Sequence, residues 1–378
     1  MIIKKLDIWH LKLHFQSSIK HSLATHVGSD NLVLKVTTAD EISGYGEGVP
    51  RGFVTGEVLD DSLSFLREVM APELLARKFY SPQELIIALE GLYRQTGAQR
   101  HPAAFCALET ALLGAAGCTW KTPMVDLIGP KLRKSVVYSA VIPMMAPEQM
   151  GQLLHLVKTH HLRFVKLKVG NEVDLENLKM VREHLGFEVD IRVDANSAWS
   201  PTEAIARLKE MEPYRISAVE QPVAKADFAG LQQVRDAVQI PVIADESLCT
   251  EEDARRLIDM KACQIFNLRL SKCGGPGATT RIRRMADQAG ILCQLGCHVG
   301  ETSILSAAGR HFALTIPHLS YVEGSVSPFL LVRDVVAQPL IFNNGGLGYE
   351  LPGPGLGLEV LEEALEELSV SHHVEAAC

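Results

Sequence analysis

The sequence has no C-x-x-C pair among its eight cysteines, no stripe of basic side chains and no G-x-G-x-x-G opening a helix after its first strand. No apolar run reaches about 18 residues either. Each absence closes off a class of protein. Unpaired cysteines, several of them inside apolar stretches, read as buried thiols in a reducing compartment and not as a disulfide framework. Residues 1–15 mix lysines and histidines with alternating apolar residues, unlike a signal peptide or a membrane span. Lysine and arginine number 37 against 45 acids, for a formal net charge of −8, and the two signs are interspersed. Nucleic acid and anionic membrane are therefore not expected as partners. The missing glycine fingerprint weakens a dinucleotide-binding reading. What remains is the expectation of a soluble, cytoplasmic protein.

At 378 residues, 47% apolar and 22% charged, the chain exceeds one ordinary domain. Its first third reads as β then α. Residues 2–15 and 32–36 are β-like, and the polar stretch 37–43 links them to 45–47, as in a meander. Helical stretches follow at 62–75 and 81–94, then at 101–116, where apolar positions cover most of the helix surface. A helix of that kind belongs in a core or at a domain interface.

From about residue 136 the pattern changes. Short apolar strands are expected at 137–142, 164–169, 191–194, 218–221, 242–245, 265–270, 292–295 and 319–322. Amphipathic segments at 175–185, 202–211, 227–237 and 251–260 lie between them. This rhythm points to a parallel barrel or a large doubly wound sheet. Beyond the last strand a Gly/Pro-rich stretch, 345–357, leads to a short acidic helix and to a tail, 369–378, expected to fray.

The informative positions are polar residues at strand ends. Lys166 and Lys168 alternate on one side of a strand, as do Asp194 and Asn196. Glu220, Asp245 and Lys272 follow. From Lys168 the successive intervals are 26, 26, 25 and 27 residues. One βα unit per interval puts all five at the same end of consecutive strands, where barrel enzymes build their sites. A single strand-end Asp or Lys is more often a cap or an ion pair, and the set is what carries a functional reading. Three converging carboxylates repel unless a cation neutralises them, and all-oxygen ligation favours Mg²⁺ over Zn²⁺. A nearby ammonium and a divalent cation both push a lysine toward its neutral, basic form. The expected layout is a metal that stabilises an oxyanion, with a base on each face.

The series Lys166-Leu-Lys168, Asp194-Ala-Asn196, Glu220-Gln-Pro, Asp245-Glu246-Ser and Lys272-Cys-Gly-Gly resembles the muconate-lactonizing-enzyme subgroup of the enolase superfamily. The resemblance spans nearly the whole chain, including Gly44-Tyr-Gly-Glu47 and Pro352-Gly-Pro-Gly-Leu-Gly357. It implies an α/β fold, a modified TIM barrel of (β/α)7β form over 131–325. An N-terminal α+β capping domain would cover 1–130, with a C-terminal segment, 326–378, returning to it. It also implies one Mg²⁺ held by Asp194, Glu220 and Asp245, and an enediolate intermediate. Lys168 would be an acid/base, Lys166 would assist the substrate carboxylate, and Lys272 would be the acid/base or cationic stabiliser opposite.

The implied activity is that of a racemase/epimerase or a cycloisomerase acting on a small-molecule carboxylate, in a homo-oligomer (dimer or octamer). An o-succinylbenzoate synthase-type dehydratase, a silent metal- and ligand-binding barrel and a Schiff-base aldolase are the alternatives. Arg51-Gly-Phe-Val-Thr55-Gly-Glu57 is similar to a stretch of dipeptide epimerases. Those enzymes carry Asp-x-Asp at the eighth strand, where this chain has Val322-Glu323-Gly324-Ser325; the glutamate usual in muconate cycloisomerases would fall at Gly324. Arg51, Asn196, His298 and Glu323 are expected to line the substrate pocket, His298 alternatively as a polar barrel residue and Glu323 as a structural ion pair. Cys297 is expected to pack. His21 and His26 fall in the polar segment 17–31, where the family places a mobile specificity loop, and are expected to be solvated.

Overall fold

Alternating apolar residues near the N-terminus build a sheet, and glycines let a helix lie directly upon it. The computed structural model describes residues 1–21 and 24–377, and for residues 20, 21, 24, 147 and 148 the backbone alone. Strands β1 (Ile3–His21), β2 (Ala24–Thr38) and β3 (Ser43–Gly48) run antiparallel. Helix α1 (Pro82–Gln95) follows, then α2 (Pro102–Trp120), which packs on β3. A Cβ at Gly46 would lie 2.0 Å from the Ala107 carbonyl oxygen, so only glycine permits this approach. Helix α2 is long and apolar enough to cross a membrane, yet 83% of that stretch is buried inside the protein. It is apolar all round because the sheet covers one side and barrel helices cover the other.

The barrel follows in regular alternation. The short β4 (Ser135–Val137) precedes β5 (Ala140–Ile142), α3 (Pro147–Thr159), β6 (Phe164–Lys168), α4 (Asp174–Leu185) and β7 (Asp190–Asp194). Then come α5 (Pro201–Met211), β8 (Val219–Glu220), α6 (Phe228–Ala237), β9 (Val242–Ala244), α7 (Glu251–Asp259) and β10 (Ile265–Leu268). A single turn, α8 (Leu270–Cys273), intervenes before α9 (Gly275–Ala289), β11 (Leu292–Leu295), α10 (Ser303–Ala313) and β12 (Leu319–Val322). Strands β5 to β12 are parallel and in sequence order. A Tyr138–Val322 bridge, with Ser139 N–H donating to the Val322 carbonyl at 2.8 Å, brings the two edges together. The fold is a modified TIM barrel under an antiparallel cap, as the family resemblance implied. Past it, β13 (Leu347–Tyr349) pairs with β4, and α11 (Glu362–Leu368) leads to β14 (Ser369–Ala376).

Two expectations are corrected. The tail does not fray: β14 joins the outer edge of β1, from Lys5↔Ala376 to Leu11↔Ser369, and His372 stacks on Trp9 at 4.4 Å. An open strand edge offers a row of unpaired backbone groups, and this polar segment satisfies them. The described residues of the segment, 17–21 and 24–31, are not a loop either. They continue β1 and β2, with pairing that shifts after His14↔Gly28 and resumes at Ile19↔His26. Ser22 and Leu23 lie outside the described residues, as do Cys378 and the side chain of His21.

Candidate active site

Register places the key side chains at one level. Lys168 pairs across the sheet with Asp194, and Asp194 with Glu220, so three adjacent strands end together; Asp245 follows the last residue of β9. All three carboxylates are fully buried. The turns beyond these strands are pinned by side chains. Gln221, at φ 37°, accepts from the backbone N–H groups of Asp245 and Ser247, both at 3.0 Å. Asn196, at φ 43°, donates its backbone N–H to Asp194 Oδ1 at 3.0 Å. These left-handed backbones are unfavourable away from glycine, and the surrounding hydrogen bonds hold them.

A network of ion pairs fills the mouth. Lys168 Nζ lies 2.6 Å from both Asp194 Oδ2 and Asn196 Oδ1. Lys166 Nζ lies 2.7 Å from Glu323, 3.2 Å from Asp194 and 3.4 Å from Glu220. Arg269 binds Asp245 and sits 3.7 Å from Glu220. Glu220 also accepts from Asn267 Nδ2 at 2.9 Å and Gln294 Nε2 at 2.8 Å. Burial raises the Asp194 carboxyl, but Lys168 and Lys166 outweigh it and hold it below its ordinary value. Asp245 is likewise opposed by burial and lowered to about 2 by Arg269 and Lys272. Glu220 is pushed up to about 8, first by burial and then by Asp194, with Lys166 compensating only in part.

Lys272 reaches the cluster through Asp245. It is fully buried on α8, and its ammonium donates to the Asp245 carbonyl at 2.7 Å, Asp245 Oδ1 at 2.8 Å and the Asn267 carbonyl at 2.9 Å. All three hydrogens are used, and the residue does not line the cavity. The extra turn between β10 and α9 carries it to Asp245. Arg269, directly after β10, reaches the cavity from the strand four places round from that of Lys168. Sequence reasoning passed over Arg269, although it stands 24 residues after Asp245 and so also fits one βα unit.

A cavity of about 490 Å³ opens beside this cluster. Lys166, Lys168, Asn196, Glu246, Arg269 and His298 line its polar end. Arg51 also lines it, donating to Ser29 Oγ at 2.7 Å and the Val299 carbonyl at 2.9 Å, and so ties the cap to the seventh-strand loop. His298 is buried, its Nε2 has no hydrogen-bond partner, and burial, then Arg269 and Arg51, keep its pKa well below the usual value. Glu323 lies in the cavity wall but is held by Lys166 and Arg192. His26 lines the cavity as well, and is not simply solvated. The Thr55-Gly-Glu57 stretch has a structural part: Glu57 accepts from the N–H groups of Ala103 and Ala104 at the start of α2, at 2.7 and 3.0 Å. Glu246, Asn267, Gln294 and Arg192 also escaped the sequence reading. Their signal is a polar residue inside, or just beyond, an otherwise buried parallel strand.

Among the described residues, no three His, Cys, Asp or Glu side chains converge closely enough to hold a metal ion as they stand; Lys166 and Arg269 bridge the carboxylates instead. The donor chemistry nonetheless fits a hard divalent cation. Three buried carboxylates come from neighbouring strands, and Glu220 is raised first by burial and then by the nearby Asp194 carboxylate.

Comparison with known proteins places this geometry in a family. Residues 149–364 match the enolase C-terminal domain-like model, and residues 8–129 match the N-terminal domain of mandelate racemase / muconate lactonizing enzyme. The chain belongs to that family of enzymes, within the enolase superfamily. It is 27% identical to the N-succinyl-L-Arg/Lys racemase of Bacillus cereus, over 98% of each chain. Among solved structures it is similar to the muconate lactonizing enzyme of Pseudomonas fluorescens complexed with muconolactone, with TM-score 0.89 and 27% identity over 97% of this chain and 99% of that one. It is similar too to the dipeptide epimerase of Enterococcus faecalis complexed with Mg and L-Leu-L-Tyr, with TM-score 0.87 and 27% identity over 95% and 100%.

Proposed function

We propose that the chain is a Mg²⁺-dependent isomerase that abstracts the proton α to the carboxylate of a small-molecule substrate. The observation that carries this reading is Lys168: its amine lines the cavity and rests on Asp194, beside Glu220 and Asp245. Asp194, Glu220 and Asp245 would hold the ion, which when bound supplies Lewis-acid stabilisation of the charge that develops on the substrate carboxylate. The chain's own residues do the rest. Lys166 and Arg269 draw the carboxylate to the polar end, and Lys168 acts in its neutral form. Asn196 fixes the Lys168 amine at 2.6 Å, and that amine takes the proton.

Arg269 lines the cavity from the strand four places round from that of Lys168, and the Lys272 ammonium is engaged by Asp245 and Asn267. A guanidinium stays charged, so Arg269 stabilises negative charge and does not accept a proton. One proton-accepting amine favours chemistry completed on a single face, as in cycloisomerisation. His298 supports a second reading, racemisation or epimerisation, because its unpartnered Nε2 at the cavity wall is a neutral group suited to the other face. A cytoplasmic homo-oligomer belongs to the same proposal.

The test is α-proton exchange in D₂O with Mg²⁺, run on both enantiomers of N-acyl amino acids and on muconates. Exchange restricted to one hand supports the single-face reading. Exchange of both hands, with His298→Gln losing only one, supports the second. No exchange with any of these acids by folded, Mg²⁺-loaded protein contradicts both.

A further inference from the structure

The cavity has two unlike ends. Beyond the charged cluster it continues between α3 and the segment 326–342, where Ile142, Met145, Leu153, Leu156, Phe329 and Phe342 line it. Leu156 and Phe329 are 42% and 46% exposed, apolar surface of the kind a ligand covers. The Phe329 and Phe342 rings lie 6.2 Å apart, and Phe342 stacks on Tyr138 at 5.9 Å, which makes an aromatic wall on one side.

Carboxylates are confined to the other end. Among the described residues lining the cavity the only acids are Glu246 and Glu323. Glu323 is spent on Lys166 and Arg192, and Glu246 accepts from Asn196 beside the charged cluster. Among these described residues, a substrate ammonium at the far end would meet no carboxylate. A second carboxylate would meet only the Gln149 and Gln152 amides and the His160 imidazole, with no lysine or arginine from α3 or the 326–342 segment. Burying either unpaired is costly, whereas an alkyl or aryl group gains by leaving water. The volume, about 490 Å³, is within the range of about 300–1,000 Å³ that suits a drug-sized ligand, so an acid of three or four carbons would leave the apolar end unfilled.

We infer that the substrate is a carboxylate with an uncharged, apolar far end, an alkyl chain or aromatic ring seated between α3 and the 326–342 segment. The orientation, acid group at Lys168 and tail toward Phe329, rests on the proton-abstraction reading above.

Isothermal titration of the Mg²⁺-loaded protein tests this with N-acetyl derivatives of 2-aminobutyrate, 2-aminohexanoate and 2-aminooctanoate. N-acetyl-2-aminosuberate and Nα-acetyl-lysine supply a charged far end. Affinity is expected to rise about fourfold per added methylene, and to fall at least about tenfold when the far end carries a charge. Leu156→Lys is expected to reverse the order between the octanoate and suberate compounds. Binding that is absent, independent of chain length, or as tight for the charged tails overturns the inference. Proton exchange on the same compounds separates the two claims. Length-dependent binding without exchange sinks the reaction and leaves the substrate class standing. Exchange that is indifferent to the tail sinks the class alone.

Discussion

Replacing Lys272 by methionine separates a structural lysine from a chemical one. In the native protein this ammonium makes three hydrogen bonds of 2.7 to 2.9 Å, two to Asp245 and one to the Asn267 carbonyl, with no solvent exposure. Methionine fills similar space but donates nothing. The variant therefore leaves two buried carbonyls without these donors and the Asp245 carboxylate with Arg269 as its remaining direct ion partner. Breaking a buried pair by removing one partner costs about 3–5 kcal/mol. At about 1.36 kcal/mol per decade, that is a shift of two to four orders of magnitude in the folding equilibrium. Urea unfolding followed by circular dichroism measures it, with Lys168→Met in parallel. Lys168 is paired with the buried Asp194 at 2.6 Å, so its variant is expected to lose about 3–5 kcal/mol, comparable to Lys272→Met, and proton exchange as well. A Lys272→Met protein that unfolds at the parent's urea concentration, yet has lost exchange, would refute the reasoning and restore Lys272 as a base.

Three further outcomes follow from the same structure. Glu220→Gln, which keeps the hydrogen-bonding shape but removes the charge, is expected to weaken Mg²⁺ binding at least about tenfold by calorimetry. Burial raises Glu109 to about 7 from an ordinary 4.5. The folded state then keeps a proton that the unfolded chain has released. Stability therefore falls as pH rises from about 4.5 to 7, by about 3 kcal/mol from this residue. Glu109→Gln should flatten that part of the pH–stability curve, and an unchanged curve would count against the assignment. Gly46→Ala places a methyl group 2.0 Å from the Ala107 carbonyl and 2.5 Å from the Ala111 nitrogen, so α2 must move off the sheet. A loss of about 3 kcal/mol is expected, read as a lowered melting temperature.

The barrel and its charged mouth were legible because parallel strands end at a common level, so residues spaced by one βα unit converge. Lys166, Lys168, Asp194, Glu220 and Asp245 all obey that rule. Lys272 stands three residues beyond Arg269, because α8 interrupts the passage from β10 to α9. No periodicity announces a single helical turn. The outer ends of β1 and β2, residues 17–21 and 24–31, and β14 were illegible for another reason. Their polar side chains carry no apolar pattern, and what holds them extended is backbone pairing with a partner strand, distant in sequence for β14. The helical reading of 62–75 survived although Phe65–Met70 forms a wider π turn, since the apolar face still points inward. The ion pairs Lys166–Glu323 and Arg192–Glu323 join residues 157 and 131 positions apart, which local reasoning does not reach.

The most direct measurement is loss of the α-proton signal in D₂O, by proton NMR, for N-acetyl-2-aminooctanoate with Mg²⁺ and either the native chain or Lys168→Ala. The native protein is expected to exchange the proton, and the variant to do so about 10²- to 10⁴-fold more slowly, with Mg²⁺ affinity within a few-fold of the parent. Exchange at the native rate in Lys168→Ala would contradict the account, because the proton would then leave through some other group.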